Sequence, residues 1–302
     1  MINIRSSEMS VRSSEINVND RDTRCSPNIS FDSLSCIKLS ILIELANAYN
    51  KDTRDKLSII KLNNNLEALN PTKYKKYLLR EFQKRLGNKC TTQKCWTEQS
   101  FVKRMQEQAK RELKKYTFRP NGPCGKFEWL NTYNIDDVMV QYEKKYNDFK
   151  FLGTVPMDFD NLPNLGIKYF DYNNFYKQGK RKLGIVFNLD ESWKSGSHWV
   201  AMYADFSKAH IHYFDSYGTN ACTRVRTLMR RIEKAMKKIN PNLEPSTSRN
   251  EIRHQYGHSE CGVYSMNFII RLLEGESFDN ICESKTTDDK INEYRKIYFS
   301  NT

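Results

Sequence analysis

The stretch His254-Gln255-Tyr256-Gly257-His258-Ser259-Glu260-Cys261-Gly262-Val263-Tyr264-Ser265-Met266-Asn267-Phe268 is a polar, glycine-bearing loop that runs into a cysteine. After the cysteine comes an apolar run at helical spacing, Val263 to Leu273. The pattern places Cys261 at or near a helix N-terminus. Unpaired N–H groups and the helix dipole there favour an anionic sulfur. One motif does not define a reaction. A nucleophilic cysteine also needs a base, a group to orient that base, donors for a developing oxyanion and a cleft for substrate.

Working outward, the segments just upstream are β-prone. Leu183–Leu189, His198–Ala204 and Ala209–Asp215 are apolar or alternating runs, with a hairpin turn expected near Lys208. A basic helix is expected over 222–240, closed by Asn240-Pro241, and a short strand over 250–254. Helix and strand signals alternate irregularly, so the predicted class is α+β. The five histidines are 198, 210, 212, 254 and 258. His198 opens a predicted strand after the turn Lys194-Ser195-Gly196-Ser197, and Asp215 closes the next strand. Two adjacent antiparallel strands bring such residues side by side. Gln255, six residues before Cys261, offers an amide donor, with the Cys261 backbone N–H as a second. His258 is the rival for that role. An amide is preferred because it cannot lose its donor by titration near neutral pH, whereas a histidine can.

The chain of 302 residues has room for one large domain or two. With 38% hydrophobic and 12% aromatic residues it can bury a substantial core, which excludes a globally disordered protein. No run is apolar enough to span a membrane. The N-terminus has no apolar core of the secretory type, so an intracellular, reducing setting is expected. Residues 1–33 are polar and read as a flexible lead. Helices are expected in CIKLSILIELANAY (ending at Tyr49), over 71–86 and over 97–116, the last capped by Thr97. Phe118–Gly125, with two prolines and two glycines, marks a boundary. The expected organisation is a lead (1–33), a helical basic arm (34–117) and a second domain (118–302), opening with a helix from Asn134 or Asp136 to Tyr146.

The net charge of +13 is concentrated in the arm. Residues 1–119 hold 24 Lys and Arg against 13 Asp and Glu, and the remainder holds 25 against 23. Such an arm suits contact with nucleic acid or an acidic partner, although a solvated lysine-rich surface gives the same composition. The eight cysteines are scattered. Cys90 and Cys95 lie close together, but no second Cys or His pair accompanies them, so buried structural thiols are expected rather than a metal site. Cys222 and Cys282 are read the same way. No cofactor is implied.

GSHWV (196–200), YFDSYG (213–218) and the opening stretch together resemble the SUMO-protease and adenovirus-protease superfamily of cysteine peptidases. GPCGKFEWLNTYNIDD, YNDFKFLGTVPMDF, GIVFNLDESWKSGSHWVAMYAD and NEIRHQ extend the likeness over 118–302. Together they resemble the polyprotein-processing thiol proteases of large DNA viruses, the African swine fever virus and mimivirus type. The resemblance implies an adenain-like or papain-like peptidase core: a central mixed sheet flanked by helices, behind a helical N-terminal arm. It makes Cys261 the nucleophile, His198 the general base and acid, Asp215 the group that orients His198, and Gln255 part of the oxyanion hole. The swine fever enzyme has Asn where this chain has Asp215. Trp129 and Trp199 resemble the tryptophans that wall the narrow substrate tunnel of SUMO proteases, though aromatic residues are also ordinary core.

The expected function is therefore a cysteine endopeptidase that cuts viral structural polyproteins, after Gly-Gly-Xaa sites, during virion maturation. Its partners would be those structural proteins, and its setting the virus factory in the host cytoplasm and the virion. Two alternatives stand beside it: an isopeptidase that removes SUMO or ubiquitin, and a nucleic-acid or core-protein binding module on an inactive peptidase fold.

Overall fold

The computed structural model describes residues 16, 18–123, 125 and 127–301. The chain divides into two compact units. One is formed by Ser30–Thr117 with the chain up to Cys25, the other by Phe118–Thr302 with Ser26–Ile29.

The first unit is helical. Its elements are α1 (Leu39–Asp52), α2 (Asn64–Leu69), α3 (Pro71–Leu86), α4 (Gln93–Trp96) and α5 (Glu107–Tyr116). In α3 the Asn70 side chain accepts the Lys73 N–H and Pro71 sits at the first helical position, where its missing N–H costs nothing. Tyr74, Leu78, Leu79, Phe82 and Leu86 recur at helical spacing and are all buried. Phe82 stacks on Trp96, and Tyr49 sets its edge against both Phe82 and Phe101.

That packing corrects the long helix expected over 97–116. Ser100–Arg104 form a 3-10 turn, Met105 and Gln106 are extended, and α5 begins only at Glu107. The break buries Phe101, Val102 and Met105 together, and this outweighs local helix propensity. Thr97 follows the end of α4 rather than capping a long helix.

Residues 20–33 are also not a loose lead. Asp20–Thr23 form a 3-10 turn with a capping box, and the buried Asp22 carboxylate accepts the Gln93 N–H at 2.6 Å. Disulfides join Cys25 to Cys36 and Cys90 to Cys95. Four residues expected as free thiols are therefore paired. The folded backbone brings their Cα atoms to 5.2 and 5.4 Å, within bridging range. Cys124 lies outside the described residues, as do residues 1–15 of the expected lead.

The second unit has the α+β architecture expected, with a five-stranded mixed sheet at its centre. Its strands are β1 (Phe149–Val155), β2 (Lys182–Asn188), β3 (Trp199–Asp205), β4 (His210–Phe214) and β5 (Ser246–Arg249), in spatial order β1-β2-β3-β4-β5. The outer pairs are parallel and the two inner pairs antiparallel. Its helices are α6 (Thr132–Lys145), α7 (Tyr172–Lys177), α8 (Thr223–Ile239), α9 (Cys261–Leu273), α10 (Phe278–Glu283) and α11 (Asp288–Tyr298). All seven residues of β3 are buried, as a central strand covered on both faces requires. α6 and α9 contribute to the core on one face, and α8 packs its Val225, Leu228, Ile232 and Met236 on the other. In α9 every residue but Arg271 is buried, so it is an interior helix rather than an amphipathic one.

The strand expected over 250–254 falls instead at 246–249. Asn250 ends it. Its side chain accepts the Asp215 N–H and donates to the Asp215 carbonyl, which replaces the ladder with an amide clasp. β1 shows no clear strand signal in sequence because Gly153, at φ +112, interrupts the alternation where the ladder shifts register between Phe151 and Thr154. No helix among the described residues is long and apolar enough to cross a membrane.

Candidate active site

His198 immediately precedes β3 and Asp215 immediately follows β4, so the antiparallel pair presents both at one end of the sheet. His198 Nε2 lies 2.7 Å from Asp215 Oδ1, and both side chains are buried. Carrying the β3–β4 register three steps past its last pair, Ala201 opposite Phe214, sets Tyr217 opposite His198. The two rings stack with centroids 4.4 Å apart and planes 6° off parallel. The Asp215 carboxylate also accepts the Tyr217 N–H at 2.9 Å and the Thr219 hydroxyl. Upstream, Gly196 takes φ +94 and the Asn188 side chain accepts the Ser197 N–H, which closes the turn that delivers His198.

Cys261 is the first residue of α9 and is 2% exposed. Its N–H is one of those a helix start leaves without an intrahelical partner. With His198 Nε2 engaged by Asp215, Nδ1 is the ring nitrogen left for the sulfur. Burial alone would lower the His198 pKa, but hydrogen bonds to Asp215 and to Cys261 outweigh it and raise it to about 9. Burial likewise works to raise Asp215, and its bonds to His198, Thr219 and Tyr217 keep it below the usual aspartate value. The group is then a charged Asp215, an imidazolium at neutral pH and a sulfur seated on a helix N-terminus. It can deliver a nucleophile and return a proton.

Gln255 is fully buried in the loop before Cys261. Its Oε1 accepts the Ser216 hydroxyl at 2.6 Å, and its Nε2 donates one hydrogen to the Gly257 carbonyl at 3.1 Å. The backbone N–H groups of His254 and Gln255 both donate to the Ser216 carbonyl. The amide is therefore held at both ends with one N–H still to place, which suits an oxyanion donor. The rival His258 is exposed. His254 is structural: Nδ1 accepts the Thr286 N–H and Nε2 donates to the Cys282 carbonyl, and burial lowers its pKa, so it is a neutral ring.

Trp129 and Trp199 line one cavity of about 390 Å³, together with Asn131, Asn188, Ser195 and Gly196. Trp129 is half exposed, as a ring on a cavity wall would be. Trp199 is both wall and core. It is buried, and its indole N–H donates to the Leu130 carbonyl at 2.9 Å. A Cβ at Gly262 would lie 3.1 Å from Leu130 and 3.2 Å from Trp199, so the glycine after the cysteine lets α9 seat against the cavity wall.

Cys282 is buried and free, its thiol pushed up to about 12 chiefly by burial, which makes it inert at neutral pH. Cys222 is half-buried beside Met157 and opens α8. Residue type alone does not mark Ser216, Tyr217, Asn250 or Gly262 as parts of the site. Ser216 and Tyr217 sit inside the YFDSYG motif that supplied Asp215, but their roles follow from strand register rather than residue type.

A histidine held between a carboxylate and a helix-start cysteine, beside a cleft, defines a cysteine peptidase. Residues 183–300 match the Ulp1 protease family, C-terminal catalytic domain. Over 275 residues the chain is 35% identical to a thiol protease of Acanthamoeba polyphaga mimivirus, covering 88% of this chain and 89% of that protein. It is 28% identical over 245 residues to the SUMO-1 cysteine protease of African swine fever virus, covering 75% and 89%. The crystal structure of the African swine fever virus protease superposes with a TM-score of 0.60 at 25% identity, over 83% of this chain and 94% of that one. The chain belongs to the Ulp1 protease family and is a cysteine peptidase of viral type.

Proposed function

We propose that the chain is an endopeptidase that cuts viral structural polyproteins after Gly-Gly-Xaa sites as virions mature. The observation that carries the reading is the juxtaposition of the Cys261–His198–Asp215 line with a cleft walled by two tryptophans, one of them the residue next to His198. Flat aromatic walls favour a slender, extended substrate, and glycines add no side chain to collide with them. Likeness to viral thiol proteases over most of both chains, rather than over the catalytic domain alone, supports a viral protein substrate.

In the proposed reaction the Cys261 sulfur attacks the scissile carbonyl, and the oxyanion takes hydrogen bonds from the Cys261 N–H and the free N–H of Gln255. The His198 imidazolium gives its proton to the leaving amine. Neutral His198 then draws a proton from water, which attacks the thioester and frees Cys261. Asp215 holds the imidazole ring and offsets its charge throughout. Trp129 and Trp199 flank the residues before the cut.

The test is turnover of a Gly-Gly-Xaa peptide from a viral structural protein. Cys261→Ala and His198→Ala are each expected to cut the rate by about 10⁴-fold or more. Retained turnover in both would sink the assignment. A ubiquitin-like modifier carrying a C-terminal fluorogenic amide forms the second arm. The name of the swine fever relative motivates it, and efficient release from the modifier with no peptide cleavage would transfer the reading to an isopeptidase.

A further inference from the structure

The loop from Tyr256 to Glu260 lies between the two donors of the proposed oxyanion hole, and one face of α11 holds it. Asp288, Asn292 and Arg295 are spaced i, i+4, i+7, which places them on one side of that helix. Asp288 Oδ2 accepts the N–H groups of both Tyr256 and Gly257 at 2.8 Å. Asn292 donates to the buried Glu260 carboxylate at 3.1 Å, and Arg295 donates to the Ser259 carbonyl at 3.0 Å. The same Asp288 takes the Tyr264 hydroxyl on Oδ1 at 3.0 Å, which ties it to the first turn of α9 above Cys261.

A chain of bonds therefore runs from α11 to the catalytic amide. Asp288 holds Gly257 by its N–H, and the carbonyl of the same residue takes one N–H of Gln255, while Ser216 holds the other end of the amide. An amide pinned on its oxygen and on one hydrogen can aim its second hydrogen in only one direction. Without Asp288, the N–H groups of Tyr256 and Gly257 lose their acceptor and the Gly257 carbonyl is free to drift.

We infer that α11 is the clamp of the oxyanion loop and that Asp288 is a positioning residue for catalysis, acting through Gln255. The inference rests on the reading of Gln255 as an oxyanion donor, and the experiment keeps the two apart. In the full-length chain, Asp288→Ala is expected to lower kcat about 10²-fold, the scale of a misplaced catalytic group, with KM for the peptide little changed. Asp288→Asn is expected to stay within a few-fold of the parent. Its oxygen can still take the two N–H groups, and its NH₂ then meets the Tyr264 hydroxyl, which turns to the Thr286 carbonyl at 2.8 Å.

Alkylation of Cys261 by iodoacetamide needs the sulfur and His198 but forms no oxyanion, so its rate should be unchanged in Asp288→Ala. Gln255→Ala should lower kcat by itself, and adding Asp288→Ala to it should cost little more, because the two act as one unit. Asp288→Ala overturns the inference if alkylation falls along with kcat, if Asn fails as Ala does, or if its loss adds in full to that of Gln255→Ala. Full activity in Gln255→Ala would instead overturn the oxyanion reading itself.

Discussion

His198 titrates where it does because of what its ring touches. Its raised pKa, about 9, comes from bonds to Asp215 and Cys261 that outweigh burial. A raised pKa keeps the imidazole protonated through neutral pH and releases the proton as pH passes the shifted value. In the proposed reaction, the proton for the leaving amine is thus available below about pH 9 and lost above it. In a profile of kcat/KM against pH, activity should fall on the alkaline side near that value. Asp215→Asn removes the carboxylate that raises it, so the alkaline limb should move down by about 1–3 in pH. A limb that stays in place would show that some other group sets it. The residues in this exchange were legible in sequence because each has a distinctive type beside a turn. Tyr217 was not legible, since a tyrosine after Asp-Ser carries no mark that it will stack on a histidine nineteen positions back along the chain.

At the scale of elements, the site is built by three placements: the end of β3, the end of β4 and the start of α9. The two strands were readable from apolar runs and a turn, and their antiparallel pairing follows from a short connection. The start of α9 was readable from a polar loop meeting an apolar run. How closely α9 could approach was not, because it depends on Leu130 and Trp199, far away in the chain. Gly262→Ala inserts a methyl into contacts already at 3.1–3.3 Å. It is expected to cost about 1–3 kcal/mol and to displace the cavity wall, read as a lowered Tm and a raised KM. Unchanged stability and KM would show that the wall yields freely. α10 and α11 escaped the sequence reading for a related reason. α11 has only a narrow buried stripe, Ile291, Arg295 and Tyr298, and its functional face is polar. A polar face earns its meaning only from what it touches.

At the scale of the whole molecule, the chain comprises two units, each with its own buried apolar residues. The catalytic line, the cavity and the α11 clamp all lie in Phe118–Thr302, and both disulfides lie in the other unit. A fragment beginning at Phe118 is therefore expected to unfold in a single cooperative transition and to hydrolyse a short peptide at a rate within about tenfold of the full chain. Calorimetry and peptide turnover check this together, and a fragment that neither folds nor turns over would show that the catalytic unit needs residues before Phe118, Ser26–Ile29 among them.

The sequence by itself determined the placements on which the proposed chemistry rests: a cysteine at a helix start, a histidine and an aspartate at the ends of neighbouring strands, and the periodicities that make the fold α+β. These are local signals, carried by residue type, spacing and turns. Only the tertiary structure decided which groups hold the chemistry in place. The clasp of Asn250 on Asp215, the grip of Ser216 and Gly257 on Gln255, the seat of Gly262 and the polar face of α11 each join parts of the chain that no short window contains. A polar side chain has many partners open to it in the unfolded chain, and packing selects one.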